Sequence, residues 1–236
     1  MHDEPDWAER LRMPLVEAME TQRAVRRLRP DPVDDDLVLE LCRLAQKAPS
    51  GGNRQLVEFL VVRDPGVKHQ LARLNRQAWA LYKRLARREA RGDLKMARML
   101  AAVQWQADHF EDTPVFVVVC QKGRPWPGHL GRVSWYGSVF PAVQNLLLAA
   151  RAVGLGATLT TLPLWSRTLA RRTLNLPRHV TPCAVIPLGW PRRGGYGPTT
   201  RRPLRDVVHL DAYGHHPADR DLPAEARGAT EHPAGA

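Results

Sequence analysis

The stretch that decides the fold is VFPAVQNLLLAARAV, residues 139–153. Apolar residues occupy nearly every face of a helix with this sequence, so the stretch predicts a central, buried helix. Gly154 and Gly156 end the helix, and residues 157–162 follow as a predicted strand. One small sheet covers such a helix poorly. We therefore expect a second copy of the chain to bury the remainder, as in an obligate homodimer.

The other predicted elements are few and unevenly spaced along the chain. Interleaved helices and few strands favour an α+β fold over a doubly wound sheet. Apolar periodicity and turn residues predict helices over 14–29, 36–48, 67–109 (two helices broken near Gly92) and 166–174, strands over 57–63, 115–120 and 183–189, a loop over 122–135 and an extended stretch over 204–210.

The predicted domain organisation has three parts. Residues 1–13 form an N-terminal arm, and residues 14–213 form one domain in which the segment 67–109 is a helical cover. Residues 214–236 are expected to be a disordered tail, because they lack apolar periodicity.

The polar N-terminus lacks the apolar core of a secretory signal and no apolar run is long enough to span a membrane, so the expected compartment is the cytoplasm.

The formal net charge of +11 comes from 30 Arg and only 5 Lys against 24 acidic residues. These arginines are spread along helix-like stretches without a helix-turn-helix or zinc-finger pattern, so we expect no nucleic-acid partner. The three cysteines, Cys42, Cys120 and Cys183, have no metal-ligand spacing and are interpreted as small buried hydrophobic residues. The sequence therefore predicts no metal site.

Three segments carry residues suited to a ligand. Arg23, Arg26 and Arg27 lie within five residues of one another. Clustered guanidinium groups can bind the oxygens of a phosphate group. The segment 48–55, APSGGNRQ, combines two glycines, which allow close backbone approach, with hydroxyl and amide side chains. Residues 191–203 form a Gly- and Pro-rich loop that ends in paired arginines, the first of them Arg201. The sequence has no Gly-x-Gly-x-x-Gly motif after a strand and no Walker loop, which disfavours a Rossmann or P-loop site.

These segments, in this order, resemble those of the nitroreductase family of flavoproteins. ETQRAVRRL (20–28) is similar to the family's Arg-rich opening, and APSGGNRQ resembles its Pro-Ser-x-x-Asn-x-Gln flavin loop. PAVQNLLLAARAVGLGAT (141–158) resembles its central helix and next strand, and IPLGWP (186–191) its closing strand. The resemblance implies a mixed or antiparallel sheet flanked by helices, an intertwined homodimer, and FMN held at the dimer interface.

The resemblance also implies a set of site residues. Arg23, either Arg26 or Arg27, and Arg201 would meet the FMN phosphate, with Ala24 in the same segment. The flavin loop would contact the ribityl chain and ring, and backbone amides after the central helix would lie near the ring atom N5, so that no side chain acts as a covalent catalyst. The loop residues are Pro49, Ser50, Gly51, Asn53 and Gln55, and the amides are those of Thr160, Thr161 and Leu162. Ala24 and Gln22 depart from the family pattern, which has Ser or Thr and Arg there.

The expected activity is hydride transfer from NADH or NADPH through flavin N5 to a nitroaromatic, a quinone or another small conjugated acceptor. Trp79, Tyr82 and Trp105 of the cover segment are the predicted substrate-pocket residues, although these aromatic rings can equally serve to pack the helices. Two alternatives remain. In the first, a protein of the same fold catalyses a different reaction, either biosynthetic dehydrogenation or the oxygen-dependent fragmentation of flavin, as in benzimidazole-forming relatives. The other is a non-enzymatic protein that binds flavin or nucleic acid.

Overall fold

A computed structural model describes residues 6–89, 92–193 and 196–223, and only the backbone of residues 87–89 and 219. The chain divides into two compact units, Met1–Gly197 and Pro198–Ala236. The described part of the first unit holds helices α1 (Asp6–Arg10), α2 (Leu15–Thr21), α3 (Asp35–Ala45), α4 (Pro65–Glu89), α5 (Leu94–Asp108), α6 (Gly128–Gly137), α7 (Val139–Ala152) and α8 (Arg167–Thr173), and strands β1 (Val57–Val62), β2 (Val115–Lys122), β3 (Gly156–Ala157) and β4 (Val180–Gly189).

The four strands form one sheet in the order β1-β2-β4-β3, and every neighbouring pair is antiparallel. Val57 pairs with Gln121 across β1 and β2, and Val115 pairs with Leu188 across β2 and β4. An isolated parallel bridge joins Ala24 to Ala157 at the β3 edge. The predicted α+β fold is confirmed.

Strand β2 explains why helices lie on both sides of the sheet. Its residues from Val115 to Cys120 are apolar and almost completely buried. Alternate side chains of a strand point to opposite faces, so this strand needs cover on both. Val115, Val117 and Val119 pack with α3 and α7, whereas Phe116 and Val118 pack with residues of α4 and the end of α8.

Helix α7 is the buried helix that the sequence predicts at 139–153. Val139, Val143, Leu146 and Ala150 are at most 1% exposed and belong to the main core. The helix packs against α2, α3, α6 and the sheet. Within one chain, α7 is therefore already well covered by the protein's own elements.

In the first unit, three predicted elements differ clearly from those observed. The predicted loop 122–135 is wrong, because α6 begins at Gly128 after Pro127 and buries Trp135. The predicted helix 14–29 ends at Thr21, since the backbone of residues 24–29 bonds to the sheet edge instead. The predicted strand 157–162 is reduced to Gly156–Ala157 and an isolated bridge at Thr160.

The second unit contains short turns. Residues 204–206, predicted to be extended, form a 3₁₀ turn, because the amides of Val207 and Val208 both bond to the carbonyl of Leu204. A second 3₁₀ turn, Asp219–Asp221, lies in the segment predicted to be a disordered tail, next to the buried side chain of Leu222. Residues 224–236 of that predicted tail lie outside the described residues.

Helices α4 and α5 form the predicted helical pair, with the break where the sequence places it. The carboxylate of Asp93 accepts the amide of Met96 at 2.9 Å and so caps α5. Trp79 of α4 is 3% exposed, packs with Leu100 and Ala107 of α5, and donates its Nε1 hydrogen to Gln104 at 2.9 Å. Tyr82, one turn further along α4, is 49% exposed.

We expect Trp79→Ala to lower the free energy of unfolding by about 3–5 kcal/mol, because it leaves a cavity between α4 and α5. Tyr82→Ala on the same helix should lower it by no more than about 1 kcal/mol, since this side chain is half exposed and leaves no enclosed cavity. Urea unfolding followed by circular dichroism measures both. Equal and small effects for the two variants would contradict the packing role of Trp79.

Candidate functional site

The arginine segment lies in extended conformation along the β3 edge of the sheet. The Val25 amide donates to the carbonyl of Ala157 at 3.0 Å, and the hydroxyl of Thr158 donates to the carbonyl of Val25 at 2.9 Å. A Cβ atom placed on Gly156 would lie 2.5 Å from Cδ2 of Leu28. Only a glycine therefore lets the segment approach β3 this closely.

The three arginines of this segment have no ion-pair or hydrogen-bond partner for their side chains within the described residues. Arg23 and Arg27 are exposed, and so is Ala24 between Arg23 and Val25. Arg26 is half-buried, and this burial lowers the pKa of its guanidinium. An arginine stays protonated at neutral pH even when it is partly buried. The β3 edge therefore carries concentrated positive charge that no described carboxylate neutralises.

The segment that follows β3 lies along the same edge of the sheet. Thr160 pairs with Val185 of β4 through both backbone groups, at 3.0 and 2.9 Å. The Leu162 amide lies 3.3 Å from the Thr160 hydroxyl oxygen, which accepts its hydrogen. The Thr161 amide makes no hydrogen bond to any described residue. Of the three amides singled out in the sequence, that of Thr161 is therefore open to an external acceptor.

The predicted flavin loop, which includes Pro49, is a tight turn between α3 and β1. Gly52, Asn53 and Gln55 have φ values of 59°, 51° and 51°. Left-handed backbone is unfavourable for Asn and Gln, and such residues are concentrated at functional sites. The hydroxyl oxygen of Ser50 accepts the Gln55 amide at 3.0 Å, and Nε2 of Gln55 donates to Oδ1 of Asn53 at 3.2 Å.

Helix α7 separates this loop from the arginine segment. At its start, the Gly51 amide donates to the hydroxyl of Ser138, the residue that precedes α7, at 3.0 Å. Near its end, Nε of Arg151 donates to the hydroxyl of Thr21 at 2.8 Å, two residues before Arg23. The 14 residues of α7 span about 20 Å. One chain therefore keeps the two predicted groups of flavin-binding residues at opposite ends of a helix.

Helices α4 and α5 pack on the segment that contains the open amide. Leu162 contacts the cluster formed by Trp79, Leu100 and Ala107. Trp105 stacks on His109 with a ring distance of 4.2 Å, and the guanidinium of Arg192 lies 5.5 Å from the Trp105 ring. A cavity of about 340 Å³ on this pair is lined by Arg76, Trp79, Ala80, Lys83, Arg84, Gln104, Ala107 and Asp108. The substrate role of Trp79, Tyr82 and Trp105 stays a prediction.

A second cavity, of about 310 Å³, adjoins the predicted flavin loop. Ser50 and Gly51 form part of its wall together with Gln121, Arg124 and residues of α6. Sequence reasoning missed Arg124 and Trp135 because residues 122–135 were interpreted as a loop, and it missed Gln121 because the predicted strand ended at Cys120. One signal was present, since Gln121 is a polar residue directly after six apolar residues of a buried strand.

Other kinds of reactive site find little support. Burial raises the pKa of Cys42 to about 11 and the pKa values of Cys120 and Cys183 to about 12, which keeps these thiols protonated. Within the described ranges, no three His, Cys, Asp or Glu residues come together to hold a metal ion. None of the helices described here has the length and apolarity needed to cross a lipid bilayer.

In the second unit, Arg201 donates from Nη1 to the carbonyl of Thr200 at 3.0 Å. In the same unit, Nδ1 of His216 lies 2.7 Å from the carbonyl oxygen of Arg205. The predicted contact of Arg201 with a phosphate group stays a prediction.

Comparison with known proteins identifies several relatives. The chain is 29% identical over 207 residues to a putative NADH dehydrogenase/NAD(P)H nitroreductase of Methanothermobacter thermautotrophicus, covering 86% of this chain and 89% of that protein. It is 27% identical over 199 residues to iodotyrosine deiodinase 1 of Rattus norvegicus, covering 82% and 68%. The crystal structure of an oxidised iodotyrosine deiodinase bound to FMN and 3-iodo-L-tyrosine superposes with a TM-score of 0.64 at 24% identity, covering 84% of this chain and 99% of that one.

The sequence model of the Nitroreductase family matches residues 19–190. This stretch begins just before the arginine segment and ends directly after β4. It contains all the site residues described above except Arg192 and those of the second unit. Because the match covers well over half of the sequence, the chain belongs to the Nitroreductase family.

Proposed function

We propose that this chain is an FMN-dependent oxidoreductase that takes hydride from NADH or NADPH and delivers it to a small conjugated acceptor such as a nitroaromatic or a quinone. The observation that carries the proposal is the unneutralised arginine segment beside the open Thr161 amide. Both lie at the β3 edge of the sheet, and α4 packs on the turn that begins at Leu162, the residue after Thr161.

The arginine segment fits a phosphate monoester. Such a group carries nearly two negative charges at neutral pH and accepts hydrogen bonds through three oxygens. Arg23 and Arg27 expose guanidinium groups without a described partner, and Arg26 adds a half-buried one. Without an anion, three cations within five residues repel one another. Ala24 provides no hydroxyl group, so the arginines would supply most of the phosphate contacts.

The open amide of Thr161 fits the edge of a flavin ring, since ring nitrogens and carbonyl oxygens accept hydrogen bonds. FMN, when bound, supplies the two-electron hydride chemistry, and the protein positions it and excludes water. Trp105 is connected to the arginine segment through Arg192, whose amide donates to the carbonyl of Arg27 at 2.9 Å. Trp105, together with Trp79 and Tyr82, is proposed to shape the acceptor pocket on this side.

The flavin loop reaches the same FMN only if it comes from a second chain. Ser50, Asn53 and Gln55 lie at the start of α7, about 20 Å from the arginine segment at its end. In a two-fold homodimer, the loop of each subunit can lie against the arginine segment of its partner. Each of the two FMN molecules would then be held by residues of both chains.

Two exposed apolar faces support the homodimer. Leu15, Val16 and Met19 of α2 are each more than half exposed. Val133, Tyr136 and Phe140 follow helical spacing along α6 and the start of α7, and all three are exposed. Exposed apolar clusters of this kind mark protein–protein contacts. Both faces adjoin α7, the helix that connects the two halves of the proposed FMN site.

The hydride-transfer reaction is tested on the purified protein. We expect yellow protein with about one FMN per chain, whose visible absorbance is bleached by NADH or NADPH without oxygen and restored by a quinone or a nitroaromatic. Protein that stays yellow with both nucleotides contradicts the proposed reductant. Flavin that is destroyed when oxygen enters would favour the fragmentation alternative instead.

The phosphate site is tested by the double variant Arg23→Gln with Arg27→Gln. Two charge-assisted hydrogen bonds contribute roughly 1.5–3 kcal/mol each, so FMN affinity should fall by at least about 100-fold. Equilibrium dialysis measures the affinity. The matched control is Arg98→Gln with Arg132→Gln, which removes the same charge from exposed helix positions. If both double variants bind FMN equally well, the phosphate assignment is wrong.

The shared site is tested by mixing two defective chains. One carries the Arg23 and Arg27 substitutions, and the other carries Ser50→Ala with Asn53→Ala. Each alone should bind FMN weakly, whereas a heterodimer of the two holds one intact site. Refolding the chains together should therefore restore tight FMN binding at up to half of the sites of each heterodimer. No recovery in mixtures that sediment as dimers would mean that each chain binds FMN by itself.

A further inference from the structure

Arg151 is a nearly buried cation to which the proposed function assigns no role. It lies in the last turn of α7, and its side chain is only 11% exposed. Among the described residues one carboxylate pairs with it, that of Glu17, whose Oε1 lies 3.7 Å from Nη2. The Glu17 side chain is itself about half exposed. Ion pairs of this kind contribute little to stability, so this pair alone does not account for the burial of Arg151.

Arg151 also bonds to Thr21, the last residue of α2. Its Nε donates to the Thr21 hydroxyl oxygen at 2.8 Å, and that hydroxyl donates its own hydrogen to the carbonyl of Glu17 at 2.6 Å. The second bond fixes the hydroxyl group, so its lone pairs remain available to Arg151. Directly after Thr21 the backbone leaves the helix and becomes extended, and Arg23 follows two residues further on. Arg151 therefore holds the point at which the arginine segment begins.

The ring of Tyr196 covers the guanidinium of Arg151. The ring centroid lies 4.2 Å from Cζ, a distance typical of a cation–π contact. The Tyr196 hydroxyl donates to the carbonyl of Leu155, the residue before β3. Burial raises the pKa of Tyr196 to about 12, so the hydroxyl stays protonated and keeps this bond at neutral pH. Arg151 is thus held between the end of α2 and the start of β3.

The arginine segment is attached to the rest of the chain at three places. Its middle is held by the bonds between Val25 and residues 157–158. Its end is held by the Arg29 amide, which donates to the carbonyl of Trp190 at 2.7 Å. The attachment at its beginning is the side-chain bond from Arg151, and the first guanidinium of the segment lies nearest to it in the chain. The direction of that guanidinium depends on this bond.

We propose that Arg151 is a positioning residue for the FMN phosphate: by holding Thr21, it sets the direction in which Arg23 leaves α2 and reaches the phosphate. The proposal rests on the function proposed above and adds a residue that does not itself touch the flavin. A guanidinium suits this role, because Nε donates to Thr21 while the planar face packs on Tyr196. A lysine ammonium would keep the charge at the helix end but lacks the rigid, planar group.

The test compares FMN with riboflavin, which has the same ring and ribityl chain but no phosphate. The full chain, freed of flavin, is dialysed against each flavin, and the ratio of the two dissociation constants is determined. The wild-type chain should bind FMN at least about 100-fold more tightly than riboflavin. A ratio near one would overturn the phosphate site, and the role of Arg151 with it.

Arg151→Lys should lower this ratio about tenfold, by weakening FMN binding while riboflavin binding stays unchanged. Thr21→Val removes the accepting hydroxyl and should have the same effect, whereas Thr21→Ser keeps the hydroxyl and should bind FMN like the wild-type chain. Arg151→Lys combined with Thr21→Val should be no weaker than either single variant, since each change removes the same bond.

The matched control is Arg171→Lys. Arg171 of α8 is half-buried like a structural arginine, and its Nη2 donates to the carbonyl of Leu176 at 3.3 Å, away from the arginine segment. This variant should leave the ratio unchanged.

Two results would overturn the role of Arg151 while leaving the flavin function intact. One is an unchanged ratio in Arg151→Lys, and the other is equal weakening of both flavins, which indicates a general effect on the fold. If Arg151→Lys does not fold, the Thr21 pair decides, because equal FMN affinity of Thr21→Val and Thr21→Ser overturns the proposal.

Discussion

The burial of β2 on both faces is the constraint on which the rest of the structure depends. A strand of six consecutive apolar residues excludes water from both sides, so α3 and α7 must cover one face and α4 with α8 the other. This arrangement places β3 at one edge of the sheet and β1 at the other. The arginine segment joins the first edge, and the flavin loop leads into the second. The positions of both candidate binding groups therefore follow from how one strand is covered.

Much of this was predictable from the sequence, because apolar patterns report burial. The runs 115–120 and 139–153 predict β2 and α7, and the Gly92-Asp93 break correctly divides α4 from α5. The α+β fold followed from the number and spacing of these elements. The residue types of the segment 48–55 indicated a place suited to a ligand, and Asn53 and Gln55 do adopt left-handed backbone there, while its contact with a flavin stays a prediction.

The remainder depended on contacts between residues far apart in the sequence. Pro127, Gly128 and Gly131 suggested a loop, but Gly131 is needed because Trp126 folds back onto α6. The arginine segment looked like the end of a helix, but hydrogen bonds to residues 157 and 190 hold it extended. Local propensity is easily overridden by such tertiary bonds. The cavity at Gln121 was missed for the same reason, since three separate segments build it.

The raised pKa values of the cysteines bear on how these thiols respond to oxidation. Reduced flavins react with oxygen to give hydrogen peroxide, and peroxide attacks thiolates rather than thiols. Burial raises the pKa values of Cys120 and Cys183 to about 12, so both thiols stay protonated at neutral pH. In the flavin enzyme proposed above, these two thiols would resist that peroxide, and oxidation would fall first on exposed side chains such as Met19.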